Sequence, residues 1–268
     1  MSEPIRRTAI VAGTSSGLGR GVAERLASLG WDVLGTVRGD GTALTFETVR
    51  CDATYDDAVS RLGQQVLERW GRLDALVNNA GVSFTGPVEV LAPVELRRHL
   101  DVNLVAPLAL VRACPPALRA AYGVVVQVTS VAGYSGGELF GAYNASKFGP
   151  EGASEALAVE LAGQGLRVVL VEPGPFRTEI GPKGTQAAAK GSTGLDETFW
   201  RETDEWLDWH ASASPDTDLC VDAIVGAATR PDAPFTIPVG EGIAEELRLK
   251  GEEMIMQADA AQAFLLSL

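Results

Sequence analysis

Ser130, Tyr143 and Lys147, with Asn103 upstream, are residue types that together can hold an oxygen and move a proton. Three of them fall in one stretch, VVVQVTSVAGYSGGELFGAYNASKFG. Tyr143 and Lys147 are four apart, so on a helix their side chains share one face. A free tyrosine has a pKa of about 10 and is a poor proton shuttle at neutral pH. A lysine ammonium beside it favours the phenolate and is expected to lower that value. A serine hydroxyl at the same place can hold a carbonyl or alcohol oxygen. Such a set is an acid/base site for interconverting an alcohol and a ketone, provided that a hydride carrier lies alongside.

A place for that carrier is legible near the N-terminus. TAIVAGTSSGLGRGVAERLASLG reads as a buried strand over Thr8 to Ala12, a glycine loop and an amphipathic helix. Gly13, Gly17 and Gly19 form a G-x3-G-x-G pattern. It differs from the G-x-G-x-x-G dinucleotide fingerprint, but the physics is shared. Glycines let the backbone turn tightly and approach a pyrophosphate, which then sits at a helix N-terminus. Taken alone, such a loop is just a strand-to-helix turn. Ser130 alone can cap a turn, and Tyr143 and Lys147 alone can be helix surface.

The joint pattern is more specific. AGTSSGLG stands at 12–19, CDAT at 51–54, NNAG at 78–81 and VN at 102–103; TS at 129–130, YNASK at 143–147 and PGPFRT at 173–178 follow. By these motifs, in this order, the chain resembles the short-chain dehydrogenase/reductase family, in its single-domain branch. The resemblance implies a Rossmann-type doubly wound parallel sheet in three layers. It also implies an oxidoreductase that moves hydride between a nicotinamide cofactor and a ketone/alcohol pair.

The roles it implies are as follows. Gly13, Thr14, Ser15, Ser16, Gly17, Leu18 and Gly19 would follow the pyrophosphate and the adenosine ribose. Ala12 departs from the family's usual threonine. Asp52 and the Ala53 amide would take the adenine, although an aspartate there can also simply cap the next helix. Asn79, Ala80 and Gly81 would let the backbone pass close to a ribose. Lys147 would hold the nicotinamide ribose and depress the Tyr143 pKa. Asn103 would pin a helix bend and hold a water behind Lys147. Pro173, Gly174, the Phe176 amide and the Thr178 hydroxyl would grip the carboxamide. Ser130, Tyr143, Leu139, Phe140, Trp200 and Trp206 would face the substrate. Phe199 and Trp209 lie in the same cover, Glu138 is a further polar neighbour, and the tryptophans can alternatively just pack the cover onto the body.

Cofactor choice turns on the end of the second strand. NAD-preferring members carry an acid there for the ribose 2′-hydroxyl. Here the strand reads WDVLGTVRGD, with Val37 at that position and Arg38 next. A guanidinium pairs with a 2′-phosphate through charge-assisted hydrogen bonds, and Ser15 can add a hydroxyl. NADP(H) is therefore expected over NAD(H). Asp40 is the alternative acidic partner, and Arg38 as a solvated loop residue is the plain one.

The remaining chain bounds the answer. It has 268 residues, a net charge of −13, three scattered cysteines (Cys51, Cys114, Cys220) and two histidines. No protein metal site or disulfide framework is expected, and the charge disfavours nucleic acid and anionic membrane. No run reaches the roughly 18 apolar residues of a membrane span, and the opening residues lack a cleavable leader pattern. A cytoplasmic protein with a small-molecule ketone or alcohol substrate, apolar or ring-bearing, is expected. The resemblance implies a homodimer or homotetramer.

Buried β-rich runs alternate with helical patterns, which means βαβ units and a parallel sheet covered on both faces. PFTIPVG is expected to close the sheet. The whole chain, 1–268, reads as one domain, with 180–216 as a helical substrate cover. Pro115 and Pro116 should bend the long helix after Asn103. Pro150 lies inside the Tyr143 helix, where it removes one backbone hydrogen bond, so a kink is expected. A non-catalytic dinucleotide-binding protein and an NAD-dependent alcohol dehydrogenase are the alternative functions; imine or non-redox chemistry with the same tyrosine is a third.

Overall fold

The computed structural model describes residues 6–39, 44–176, 178, 180, 185, 186, 197, 201, 205 and 216–267. Trp200, Trp206, Phe199 and Trp209, and Asp40 beside the second strand, lie outside the described residues.

The first half runs β1 (Thr8–Ala12), α1 (Gly17–Ser28), β2 (Asp32–Val37), β3 (Glu47–Arg50), α2 (Asp56–Trp70) and β4 (Ala75–Asn78). There follow β5 (Phe84–Thr85), α3 (Pro93–Leu100), α4 (Ala106–Ala113), α5 (Pro115–Ala121) and β6 (Val124–Val128). The chain continues with α6 (Gly141–Ala162), β7 (Arg167–Pro173), β8 (Thr185–Gln186), α7 (Asp218–Thr229), β9 (Thr236–Val239) and α8 (Ile243–Leu266).

Seven strands form one sheet in the order β3-β2-β1-β4-β6-β7-β9, every pair parallel. The expected doubly wound, three-layer architecture is thus present, and PFTIPVG supplies its last strand. The reason lies in alternating side chains. Val11, Val77 and Val126 point to one face and pack with Val22 and Leu26 of α1 and Ile224 of α7. Their neighbours Ile10, Leu76 and Val125 point to the other, against Leu62 of α2, Leu110 of α4 and Leu118 of α5. With both faces covered, the central strands read as unbroken apolar runs.

Order reverses between β1 and β4, which opens a crevice at their carboxyl ends. Ala12 is in register with both Thr36 and Asn78, and Asn78 with Gln127. The strand ends therefore line up, and the loops that follow them all emerge along one edge.

Three helical features refine the sequence reading. The run after Pro93 is not one helix: Asp101–Val105 forms a π-helical turn, and Cys114 breaks the chain so that α5 turns off by 64°. The two prolines sit at the start of α5, where their missing N–H groups cost nothing. Pro150 does not interrupt α6, which runs from Gly141 to Ala162 with the proline buried inside it. The long C-terminal helix α8, whose Leu249, Met254, Ile255, Met256 and Phe264 are exposed, was not anticipated. Its signal was present in the glutamates and alanines of IAEELRLKGEEMIMQADAAQAF, which carry high helix propensity.

Candidate active site

The loop after β1 is shaped by its glycines. Gly13 (φ +78°) and Gly17 (φ +59°) both lie in the left-handed region. A β-carbon on Gly13 would meet the Ala80 Cα at 2.8 Å, and one on Gly19 would collide with the Gly13 carbonyl and the Asn79 amide. Only glycine fits at these two points. Asn79 Nδ2 donates to the Ala12 and Gly13 carbonyls at 3.1 and 3.3 Å, which ties the end of β4 to the loop. Thr14 is fully buried; its amide donates to Thr36 O at 3.0 Å and its hydroxyl points the same way. Thr14 therefore fastens the loop to β2, and its side chain has a structural use beyond the expected cofactor contact. Ser15 and Ser16 precede Gly17, and the Ser16 side chain makes no capping bond to α1. The first amides of α1 are thus left for a ligand. A tight, glycine-lined cradle at an uncapped helix N-terminus fits a dinucleotide pyrophosphate.

The opposite end of the crevice gathers three arginines and three aspartates. Val37 is buried as the last residue of β2, and Arg38 follows it into solvent. Arg38, Arg50 and Arg61, together with Asp52, Tyr55, Asp56, Asp57 and Ala58, line a cleft of about 780 Å³. Arg50 and Arg61 were not singled out in the sequence. Arg50 had a signal: it directly precedes CDAT, and in the fold it sits in register with Val37, one residue from Arg38. Asp52 accepts from the Thr54 amide (3.1 Å) and hydroxyl (2.7 Å) through one oxygen, an aspartate turn that leaves Oδ2 over. Ala53 follows it, partly buried.

The proton-handling residues lie at the ends of β6 and β7 and on α6. Ser130 is buried, accepts from the Ala132 amide at 3.2 Å and reaches Pro173 O at 3.4 Å. Lys147 is buried and donates to Val128 O at 3.2 Å. Its Nζ lies 5.7 Å from the Tyr143 ring centre. Burial pulls the Lys147 ammonium down to about 8. Tyr143 moves the other way from the sequence expectation. Burial raises its phenol, and the nearby Ser130 hydroxyl only partly offsets this. The lysine sits over the ring and bonds a backbone carbonyl, so desolvation of the phenolate dominates.

Asn103 sits in the π-helical turn and is fully engaged. Its Oδ1 accepts from the Val82 amide at 2.9 Å, and its Nδ2 donates to Val82 O and Ser146 Oγ, each at 2.8 Å. Ser146 in turn donates to Tyr143 O at 2.8 Å. Asn103 therefore clamps the loop after β4 to the Tyr143 helix, and Gly81 passes over it with only 3.3 Å for a β-carbon. Both amide hydrogens of the expected water-holder are thus committed to protein atoms. Sequence reading missed two neighbours in YNASK. Ser146 links Asn103 to the helix, and Asn144 donates to Ala132 O (2.9 Å) and Ser135 O (2.8 Å), binding the Ser130 segment to α6.

Leu139 and Phe140 border the same opening. Leu139 adopts φ +66°, a strained conformation for a branched residue, and Phe140 meets the Tyr143 ring edge-on at 6.3 Å. After β7, the Gly174 amide is used on Val239 O (2.8 Å) and Phe176 packs into the core. Thr178 lies against Gly17, 3.7 Å from where its β-carbon would stand. The PGPFRT segment thus returns to the glycine loop.

A sequence model of the short chain dehydrogenase family matches residues 7–188. The chain is 34% identical over 237 residues to an NADPH-dependent 3-dehydrocapnine reductase of Ornithobacterium rhinotracheale, covering 83% of this chain and 82% of that one. It is 33% identical over 171 residues to a 3-ketodihydrosphingosine reductase of Bacteroides thetaiotaomicron, covering 63% and 64%. A short-chain dehydrogenase from Streptomyces avermitilis superimposes with a TM-score of 0.81 at 30% identity, covering 100% of this chain and 98% of the other.

Proposed function

The chain belongs to the short-chain dehydrogenase/reductase family, and on that premise we propose that it is an NADP(H)-dependent ketoreductase. The observation that carries this reading is the convergence of the Ser130 hydroxyl, the Tyr143 phenol and the Lys147 ammonium beside the glycine cradle. When bound, the nicotinamide cofactor supplies the hydride. The chain's own residues handle everything else. Ser130 and Tyr143 hold the carbonyl oxygen, and Tyr143 delivers a proton to it as negative charge develops. A phenol kept protonated by burial suits an acid in the reducing direction. Lys147 supplies positive charge behind the phenol and a donor for a ribose. Asn103 and Asn144 fix the loops that bring these groups together. Phe140 lends an apolar wall, which supports an apolar or ring-bearing ketone. Two relatives named as reductases support the direction.

Arg38, with Arg50 and Arg61 in the same cleft, supports NADP(H) over NAD(H). A charge-assisted hydrogen bond contributes about 1.5–3 kcal/mol. Arg38→Ala is therefore expected to lower kcat/KM for NADPH by roughly ten- to a hundredfold and leave NADH nearly unchanged. Val37→Asp should shift preference toward NADH by repelling the phosphate. Steady-state oxidation of both cofactors with a ketone panel checks this. Equal losses with both cofactors in Arg38→Ala would refute the assignment, and no turnover of any ketone would refute the ketoreductase reading.

A further inference from the structure

Behind the site lies an acidic pair, Glu172 buried and Glu151 partly buried, that the chemistry above does not use. Glu151 stands one helical turn after Lys147 on α6, and Glu172 is the penultimate residue of β7, 3% exposed. The two carboxyls meet inside the protein, and each acts on the other. Glu151 Oε1, Glu172 Oε2 and the Tyr134 hydroxyl beside them have no hydrogen-bond partner among the described residues. The Thr129 hydroxyl lies 3.2 Å from Val171 O and also hydrogen-bonds Glu151, which it stabilises in the charged form. Gly133 has no side chain, and a β-carbon there would press on Glu151 Oε1 at 2.8 Å.

Two carboxylates cannot both ionise at such a site, because each charge is desolvated and repelled by the other. Thr129 serves Glu151 and the Tyr134 hydroxyl bonds neither carboxyl, so the hydrogen bond between the two glutamates needs a carboxylic proton. We propose that Glu151 and Glu172 share one proton, and that the single remaining negative charge, carried on Glu151, holds Lys147 in its charged state from behind. Both are positioning residues that act through Lys147, and the inference rests on the catalytic reading given above. The charged and titratable groups around the pair are Lys147 and Glu155 from α6, and Tyr134, which also feels Glu246 of α8. Burial raises both carboxyls; Glu151 raises Glu172 further, whereas the hydrogen bonds from Thr129 and Glu172 and the charge of Lys147 hold Glu151 back, and Glu151 in turn opposes the desolvation of Lys147.

The folded protein keeps a proton that the unfolded chain has released above the ordinary glutamate value of 4.5. Stability therefore falls as pH rises from there through neutrality. In Glu172→Gln the amide donates to Glu151 without a second charge, and that fall should become shallower. The direct test is a carbon-13 titration of cofactor-free protein labelled at glutamate and lysine, alongside urea midpoints over the same pH range. Wild type should show one glutamate carboxyl still protonated at neutral pH, and Glu172→Gln should lose it. Glu151→Gln should move the Lys147 titration downward by at least about half a unit, less than the 1–3 units of a direct ion pair. Glu172→Gln should leave Lys147 near its wild-type value, and Glu151→Asp should restore it at least in part. A purely structural role predicts two destabilised variants with unmoved titrations. Ordinary titration of every glutamate, or an unmoved Lys147 in Glu151→Gln, overturns the proposal; if Glu151→Gln does not fold, an unchanged pH slope in Glu172→Gln does so. None of these readouts needs turnover, so they stand apart from any failure of the catalytic reading.

Discussion

Tyr143→Phe is expected to abolish nearly all turnover while leaving the fold and cofactor affinity intact. The ring packs edge-on against Phe140 and under Lys147, and phenylalanine keeps both contacts. The Ser146 bond goes to the Tyr143 backbone carbonyl, so it also survives. What disappears is the proton donor. A positioned general acid contributes typically 10²- to 10⁴-fold, and kcat should drop by about that factor. The measurement is steady-state NADPH oxidation with a ketone, paired with cofactor binding by fluorescence. Retention of more than about a tenth of the wild-type rate would remove Tyr143 from the mechanism.

The second large effect is on stability and comes from a residue that touches no ligand in the proposed chemistry. Asn103→Leu removes three hydrogen bonds at once: two to the Val82 backbone and one to Ser146. Ser146 still donates to Tyr143 O, but the Val82 amide and carbonyl lose their partners. An unsatisfied buried polar group costs about 1–3 kcal/mol, so a total of roughly 2–5 kcal/mol is expected. For a chain of this size one kcal/mol corresponds to about 2–4 °C in Tm. A loss of roughly 5–15 °C in the thermal midpoint should follow, with kcat reduced because the loop after β4 is no longer clamped to the Tyr143 helix. A Tm within about 2 °C of wild type would mean that water replaces the asparagine without loss.

The two predictions draw on different kinds of information. Tyr143 was legible as an acid because its type, its spacing to Lys147 and the surrounding YNASK are all local. Local pattern also determined the sheet. Short apolar runs alternating with amphipathic helices leave a covered parallel sheet as the arrangement that buries both sets of faces. The Gly13 and Gly19 requirements were equally local in origin, since a strand turning sharply into a helix needs residues without a β-carbon. Arg38 was readable because it directly follows the last residue of β2.

Tertiary structure decided what depends on residues distant in sequence. Asn103 as a clamp requires Val82 and Ser146, which lie 21 and 43 positions away. Arg50 and Arg61 join Arg38 only because β3 pairs with β2 and α2 packs beside them. The pairing of Glu151 with Glu172 requires α6 to lie across β7. The shift of the Tyr143 phenol was misjudged from sequence for the same reason. Spacing brings a lysine near a tyrosine, but the sign of a pKa shift is set by the balance of charge and desolvation. Desolvation is a property of everything packed around the group, and only the folded chain contains it.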